Sequence, residues 1–499
     1  LKKKTLLKGG ILLAVFSLLS KGIGALYRLP LTNVLGAEGL GAYQMAYPVY
    51  ALLVACSSSA IPVLVSRSLP SMEDHDLRSA FFNSTLKYAV FIGLISGLLL
   101  AVAGKGLSIL QGSDVAVYGY YALSPAVFFV AVLASFRGWF NSRLETLTTS
   151  ISGLIEQIVK VVGVVLAYVF SARGVAFSLS MALIGVTLSE IVACGFAFLA
   201  YLKKGGRFLK SVYVIPVKAV ALSILPLSVG SLIFPLATFA DSLMTVKLLT
   251  IGGLLENQAI QEYGILSGSV GTLINLPVSL ALSFAVTALP VIAERKRQKD
   301  INGIKSNGIS SYKAVLSIAL PSALGLVLIS KPLVNLIYGT LSSQQKILCV
   351  TLLRLACLEI PLASLLQLFN AHLQALDKGV TAAKNMLIGG LVKLALNFTV
   401  LYLGVSGIIL GTIACYSVCL ALDVYALRVL VGRTKTDVLP ITLASVTMGV
   451  AVYLVVKFVK NNLYATLFGV LLGGIVYVII LLTLRTIKKR FVQKDRKTV

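Results

Sequence analysis

The chain has 499 residues, of which 58% are hydrophobic and 12% charged, and its mean hydropathy is +0.94. So few polar groups cannot cover a soluble globule, which excludes that class and makes lipid the solvent for most of the surface. The formal charge of +26, from 44 Lys and Arg against 18 Asp and Glu, does not point to nucleic acid, because the basic residues sit mostly in short loops beside apolar spans, where anionic headgroups and the membrane potential account for them.

In chain order, L-K-K-K-T-L-L-K leads into an apolar run from Gly9 to Leu26 without a small-x-small cleavage site, and is read as a retained first helix rather than a signal peptide. The predicted spans are 7–28, 40–65, 82–104, 115–136, 148–170, 176–200, 219–243, 264–290, 314–337, 347–370, 384–402, 406–427, 438–456 and 464–484. Each is near the ~20 residues that cross a hydrocarbon core as helix. Continuous leucine-rich spans argue against a β-barrel, whose strands alternate over ~10 residues. The expected fold is an all-α polytopic membrane protein with about fourteen transmembrane helices.

The charge bias orients them. With the N-terminus in the cytoplasm, 32 of the 44 Lys and Arg lie inside, 5 outside, and 7 within or at the outer edges of the spans. Such a bias predicts cytoplasmic N- and C-termini and an even helix count in a bacterial cell membrane.

The two halves echo each other. A-I-P-V-L-V-S-R, ending at Arg67, returns as A-L-P-V-I-A-E-R, ending at Arg295; F-N-S-R-L-E-T-L at 140–147 returns as F-N-A-H-L-Q-A-L at 369–376; Lys160 and Gly174 find counterparts in Lys393 and Gly407, both 233 residues later. Six helices separate the copies, so the duplication is parallel, as expected for two lobes related by an axis along the membrane normal. The expected organisation is a six-helix lobe at 1–204, a basic cytoplasmic linker at 205–218, a second six-helix lobe at 219–433, two further helices at 434–486 and a basic cytoplasmic tail at 487–499.

Charged residues inside apolar spans are the candidate functional groups. Lys21 and Arg28, seven residues apart, share a face of the first helix; facing a wet space between lobes, they can receive an anion. Lys160 and Lys393 occupy related places in the repeat and add central positive charge, while Lys247 and Lys331 lie near outer ends, where side chains snorkel. Glu156, Glu190, Asp241, Glu359 and Asp423 are available to pair with cations, gate, or bind coupling ions; Glu156, four residues before Lys160, is placed to pair with it on one helix. The excess of cations favours a phosphate-bearing cargo whose lipid tail stays in hydrocarbon over a cationic drug.

Enzymatic signals are missing. His75 and His372 are the two histidines and have no metal-ligand spacing, and no P-loop, G-x-G-x-x-G fingerprint or G-x-S-x-G elbow stands in a suitable setting. The six cysteines fall in apolar spans without a C-x-x-C pair, which implies neither a disulfide framework nor zinc. No cofactor, metal or catalytic residue is expected. Trp139, beside Arg137 in F-R-G-W-F-N-S-R, reads as an interfacial anchor.

At L-S-K-G-I-G-A-L-Y-R-L-P-L-T-N-V-L-G-A-E-G-L-G-A-Y-Q-M-A-Y-P-V-Y and I-P-V-L-V-S-R the chain resembles the stage V sporulation protein B and polysaccharide-export branch of the MOP flippase superfamily. The related lipid II flippases have fourteen transmembrane helices and a cationic central cavity, so the resemblance implies movement of an undecaprenyl-pyrophosphate-linked cell-wall precursor from the inner to the outer leaflet. It matches the first-helix cations to Lys21 and Arg28, adds Arg67 as a further candidate, and implies coupling to an ion or to the membrane potential without selecting the ion. The expected function is therefore alternating-access flipping of a lipid-linked anionic glycan or peptidoglycan precursor among anionic membrane lipids, with cell-wall synthesis proteins as candidate partners and no nucleic acid. Two alternatives stand beside it: a MATE-like exporter of small organic compounds, and a nontransporting cell-wall assembly scaffold.

Overall fold

The structure, a computed structural model, describes residues 20, 22–24, 26–206, 213–432 and 436–495, and among them the regular structure is entirely helical. Lys21 lies outside the described residues. Twelve helices are long and apolar enough to cross a membrane, or thirteen when a pair bent by 42° is taken as one span, against the fourteen expected. Two causes account for the difference. Most of the expected span 7–28 lies outside the described residues. The expected span 347–370 is divided between α11 (Ser343–Ala356) and α12 (Glu359–Ala375), with the bend between them and Pro361 in the first turn of α12, where its missing N–H costs nothing.

Contacts gather the chain into two compact units. The first comprises Leu1–Gly268 with Asn397–Val405 and the second Ser269–Leu396 with Ser406–Val499. In the first unit, α1 (Arg28–Ser58) runs through the predicted loop between the first two spans: its only break is at Gly36, whose φ of 65 is a backbone state that a side chain disfavours. Arg28 consequently sits about 12 Å of helix before that break, and not at a helix end. The unit continues with α2 (Ile61–Ser71), α3 (His75–Gln111), α4 (Ala116–Ser142), α5 (Thr146–Val169), α6 (Val175–Lys203), α7 (Val217–Ile251) and the short α8 (Glu256–Gly264).

The second unit holds α9 (Gly271–Arg297), α10 (Ile301–Ile337), α11, α12, α13 (Gly379–Leu396), α14 (Ser406–Val431), α15 (Leu439–Phe458) and α16 (Asn462–Asp495). The repeat is written in the helix lengths. Both α3 and α10 have 37 residues. Ser71 and Arg297 end the preceding helices, and His75 and Ile301 begin these, each pair 226 positions apart.

Close approach of α5 to α6 positions the charged residues of the first unit. A Cβ on Gly185 would lie 2.1 Å from the Gly163 Cα, so only a glycine pair lets these backbones meet. Further along the same pair of helices, Lys160 of α5 faces Glu190 of α6.

Candidate cation site of the first unit

Arg28 opens α1 and its guanidinium lies 5.6 Å from the Tyr47 ring centroid and 6.0 Å from that of Tyr27. Tyr47 itself stacks on Tyr43 at 5.6 Å. Aromatic faces stabilise a cation whose hydration has been stripped away, yet they provide no hydrogen-bond acceptor in line with its N–H groups. The Arg28 Nε is buried and has no hydrogen-bond partner. Beside it, Tyr27, Pro30 and Val34 of the first helix and Val161, Val165 and Tyr168 of α5 line a cavity of about 300 Å³ that exposes no polar surface.

The start of the chain's described part is fastened to α5. Ser20 donates its hydroxyl to the Gly153 carbonyl at 3.1 Å, and Gly24 leaves no room for a side chain against Gln157. Gln157 in turn donates to Glu156 Oε1 at 3.3 Å. Glu156 is the centre of an ion network: Lys160 Nζ lies 2.6 Å from Oε1 and Arg137 Nη2 lies 3.1 Å from Oε2. Glu190 joins at 3.5 Å from Lys160 Nζ, and Arg137 also donates Nε to the Ser152 hydroxyl at 3.0 Å. Two cations and two carboxylates thereby cancel in an apolar interior, where an isolated ion would cost several kcal/mol. Tyr27 and Tyr47 lie within electrostatic reach of both Arg28 and Lys160, which ties the aromatic pocket to the network.

The other sequence candidates fall elsewhere. Arg67 is exposed on α2 and joins neither group by a hydrogen bond or ion pair among the described residues. Asp241 on α7 is buried and accepts a 2.8 Å hydrogen bond from Asn397 Nδ2. In the second unit, Lys393 is buried on α13, Glu359 begins α12 half-buried, and Asp423 on α14 is fully buried and accepts from Asn385 Nδ2 at 2.7 Å. Arg137 and Glu190 complete the network but were not candidate site residues: Arg137 counts with the cytoplasmic cations in the sequence, and Glu190 is one of several intramembrane acids. The repeat held the signal, since Glu190 precedes Asp423 by the same 233 residues that separate Lys160 from Lys393.

Residues 6–296, more than half of the chain, match the family described as polysaccharide biosynthesis protein. The chain belongs to that family. Its place in the MOP superfamily makes it a transporter rather than an enzyme, and the apolar helices make it a multi-pass membrane protein. This polysaccharide biosynthesis family member is 24% identical to stage V sporulation protein B of Bacillus subtilis (strain 168), over 98% of this chain and 97% of the relative. It is 26% identical to lipid II flippase MurJ of the same organism, over 90% and 88% of the two chains. Among solved structures, its fold is similar to that of lipid II flippase MurJ in an inward closed conformation, with a TM-score of 0.71 at 19% identity over 97% of this chain and 99% of that one. An inward-facing multidrug resistance MATE family transporter of the MOP superfamily gives a TM-score of 0.68 at 16% identity over 84% and 94%.

Proposed function

We propose that the protein is a flippase that carries a polyprenyl-pyrophosphate-linked cell-wall or polysaccharide precursor from the inner to the outer leaflet by alternating access, with both termini in the cytoplasm. The observation that carries the reading is Arg28: a buried guanidinium with an unsatisfied Nε beside an apolar cavity. A pyrophosphate supplies the acceptor that the tyrosine rings lack, and the cavity is suited to part of an isoprenoid chain. The family match and the similarity to a lipid II flippase support the same substrate class.

The five cations read from the sequence take unequal parts. Arg28 is the first phosphate contact, with Lys21 beside it in the sequence. Lys160 is engaged by Glu156 and Glu190, so it reaches cargo only when those pairs rearrange. Lys393 and Arg67 serve other steps of the cycle, and Glu156, Asp241, Glu359 and Asp423 are the groups through which an ion would couple to it.

The test is leaflet-resolved flipping of purified lipid II and a panel of polyprenyl-phosphate glycans in proteoliposomes, comparing native protein with R28A, K21A and R67A at matched insertion. Selective native transport that is lost in R28A supports the reading and reveals the headgroup. Absence of native transport across the panel, with folding and orientation verified, overturns it and directs the search to amphiphilic drugs or an assembly role.

A further inference from the structure

Within the first unit, the ends of α2, α4 and α6 and the start of α3 enclose a second cavity, of about 340 Å³. His75, Arg78 and Arg143 reach its wall together with Trp139 and Tyr201, and no carboxylate lines it. Both arginines are held but not consumed. Arg78 donates Nε to the Met72 carbonyl at 2.6 Å, and Arg143 donates Nη1 to the Lys204 carbonyl at 3.3 Å while lying 3.9 Å from the Trp139 ring centroid. A guanidinium has five N–H donors in a rigid fork, so one anchoring bond orients the rest towards the space. Neither arginine forms a salt bridge among the described residues.

The acids nearby are turned elsewhere. Asp74 caps α3 by accepting from the Asp76 amide at 2.8 Å, and Glu145 pairs with Lys204. The 37-residue α3 begins at the cavity, so its unsatisfied first-turn amides add partial positive charge. The floor is rigid: Trp139 and Tyr201 are buried and meet edge to face at 4.8 Å. An independent observation comes from the repeat. In the second unit, a cavity of about 270 Å³ is lined from the start of α10 and the ends of α12 and α14, with Lys305, His372 and Arg428 in its wall. Both copies of the duplication have kept a basic cavity at corresponding helix ends.

We propose that the cavity of the first unit binds a phosphate-bearing anion on the face that the charge bias assigns to the cytoplasm. Two pre-oriented guanidiniums over an aromatic floor suit a tetrahedral dianion or diester, which accepts several N–H bonds at once. Such a phosphate is available from the headgroup of an anionic lipid in the adjoining leaflet or from a phosphorylated solute.

Trp139 is the chain's single tryptophan, so intrinsic fluorescence of the full-length detergent-solubilised protein reads this cavity alone. The titrants are dioctanoyl phosphatidylglycerol, dioctanoyl phosphatidylcholine and inorganic phosphate. A saturable response to phosphatidylglycerol is expected, with a midpoint about tenfold higher in R78Q, the loss of roughly one charge-assisted hydrogen-bond pair. A response to phosphatidylglycerol alone identifies a lipid headgroup, and an equal response to inorganic phosphate identifies a solute. No response to either, or a native midpoint in a folded R78Q, overturns the site. A measurement without any variant guards against misfolding: sulfate should displace the bound anion better than chloride at equal ionic strength, and equal displacement overturns the proposal.

Discussion

In the first half of the duplication Lys160 lies between Glu156 and Glu190, with Arg137 closing the set. The positions 233 residues later hold Lys393, Gly389, Asp423 and Asn370. The second half has kept one lysine and one carboxylate, and has replaced the other carboxylate by glycine and the guanidinium by an amide. Ser152, which accepts from Arg137, is answered by Asn385, which donates to Asp423. Charges have gone in opposite pairs, so the residues in each half still sum to zero. The comparison teaches that neutrality at this depth, rather than a particular ion pair, is what divergence has respected, as expected where an uncompensated ion is expensive.

The largest test of this idea removes one charge without its counterpart. Glu156→Gln leaves Arg137 and Lys160 facing one carboxylate and should cost about 3–5 kcal/mol, read as a fall in the thermal unfolding midpoint in detergent. Transplanting the second half's solution, Arg137→Asn with Glu156→Gly, should recover much of that loss. Additive losses in the double variant would show that the four groups are not one network.

Gly185→Ala ranks next. The second half has Val418 and Leu396 where the first has Gly185 and Gly163, so intimate backbone contact belongs to the first half. The added methyl should cost about 1–3 kcal/mol, and the corresponding change Val418→Ala should not reproduce the steric defect. Equal loss of yield and midpoint in the two would refute the distinction.

A smaller contrast lies in the turns after α4 and α12. Leu144 and Asp377 occupy related places with φ of 59 and 58. Aspartate tolerates this left-handed state and leucine does not, so Leu144→Asn should stabilise by up to about 1 kcal/mol, whereas Asp377→Leu should destabilise. A lowered midpoint for Leu144→Asn would count against backbone strain there.

The smallest effect is one of pH. Hydrogen bonding to Lys296 holds the Asp377 carboxyl below its ordinary value. A carboxylate depressed in the folded state contributes stability that is present above its unfolded value and lost as pH falls through the folded one. Native protein should therefore lose slightly more stability than Asp377→Asn on acidification from the ordinary carboxylate range downward. Parallel melting curves would sink the assignment.

What could be read from the sequence tracks the range of each interaction. Helical class and most spans follow from hydropathy, and the Glu156–Lys160 pair follows from a four-residue spacing within one helix. Burial of both Lys160 and Lys393 agrees with their shared repeat position. Glu190 and Arg137 enter the network from α6 and α4, through packing that no local spacing reports. The loop expected after Arg28 is a single glycine kink, because composition gives the length of an apolar run but not the one residue that turns it. Trp139, read as an interfacial anchor, is buried beneath Arg143, six residues from the Arg137 that adjoins it in the motif; Arg137 turns instead to Glu156.

The neutrality of the Arg137–Glu156–Lys160–Glu190 set has an electrical consequence. Any motion that carries the four groups together through the membrane field moves equal amounts of opposite charge and does no net electrical work. Arg28, with its guanidinium among uncharged rings, carries one elementary charge through whatever part of the field it crosses, up to about 2.3 kcal/mol per 100 mV for a full crossing. A voltage acting on the first unit would therefore grip it at Arg28 and leave the quartet behind as ballast.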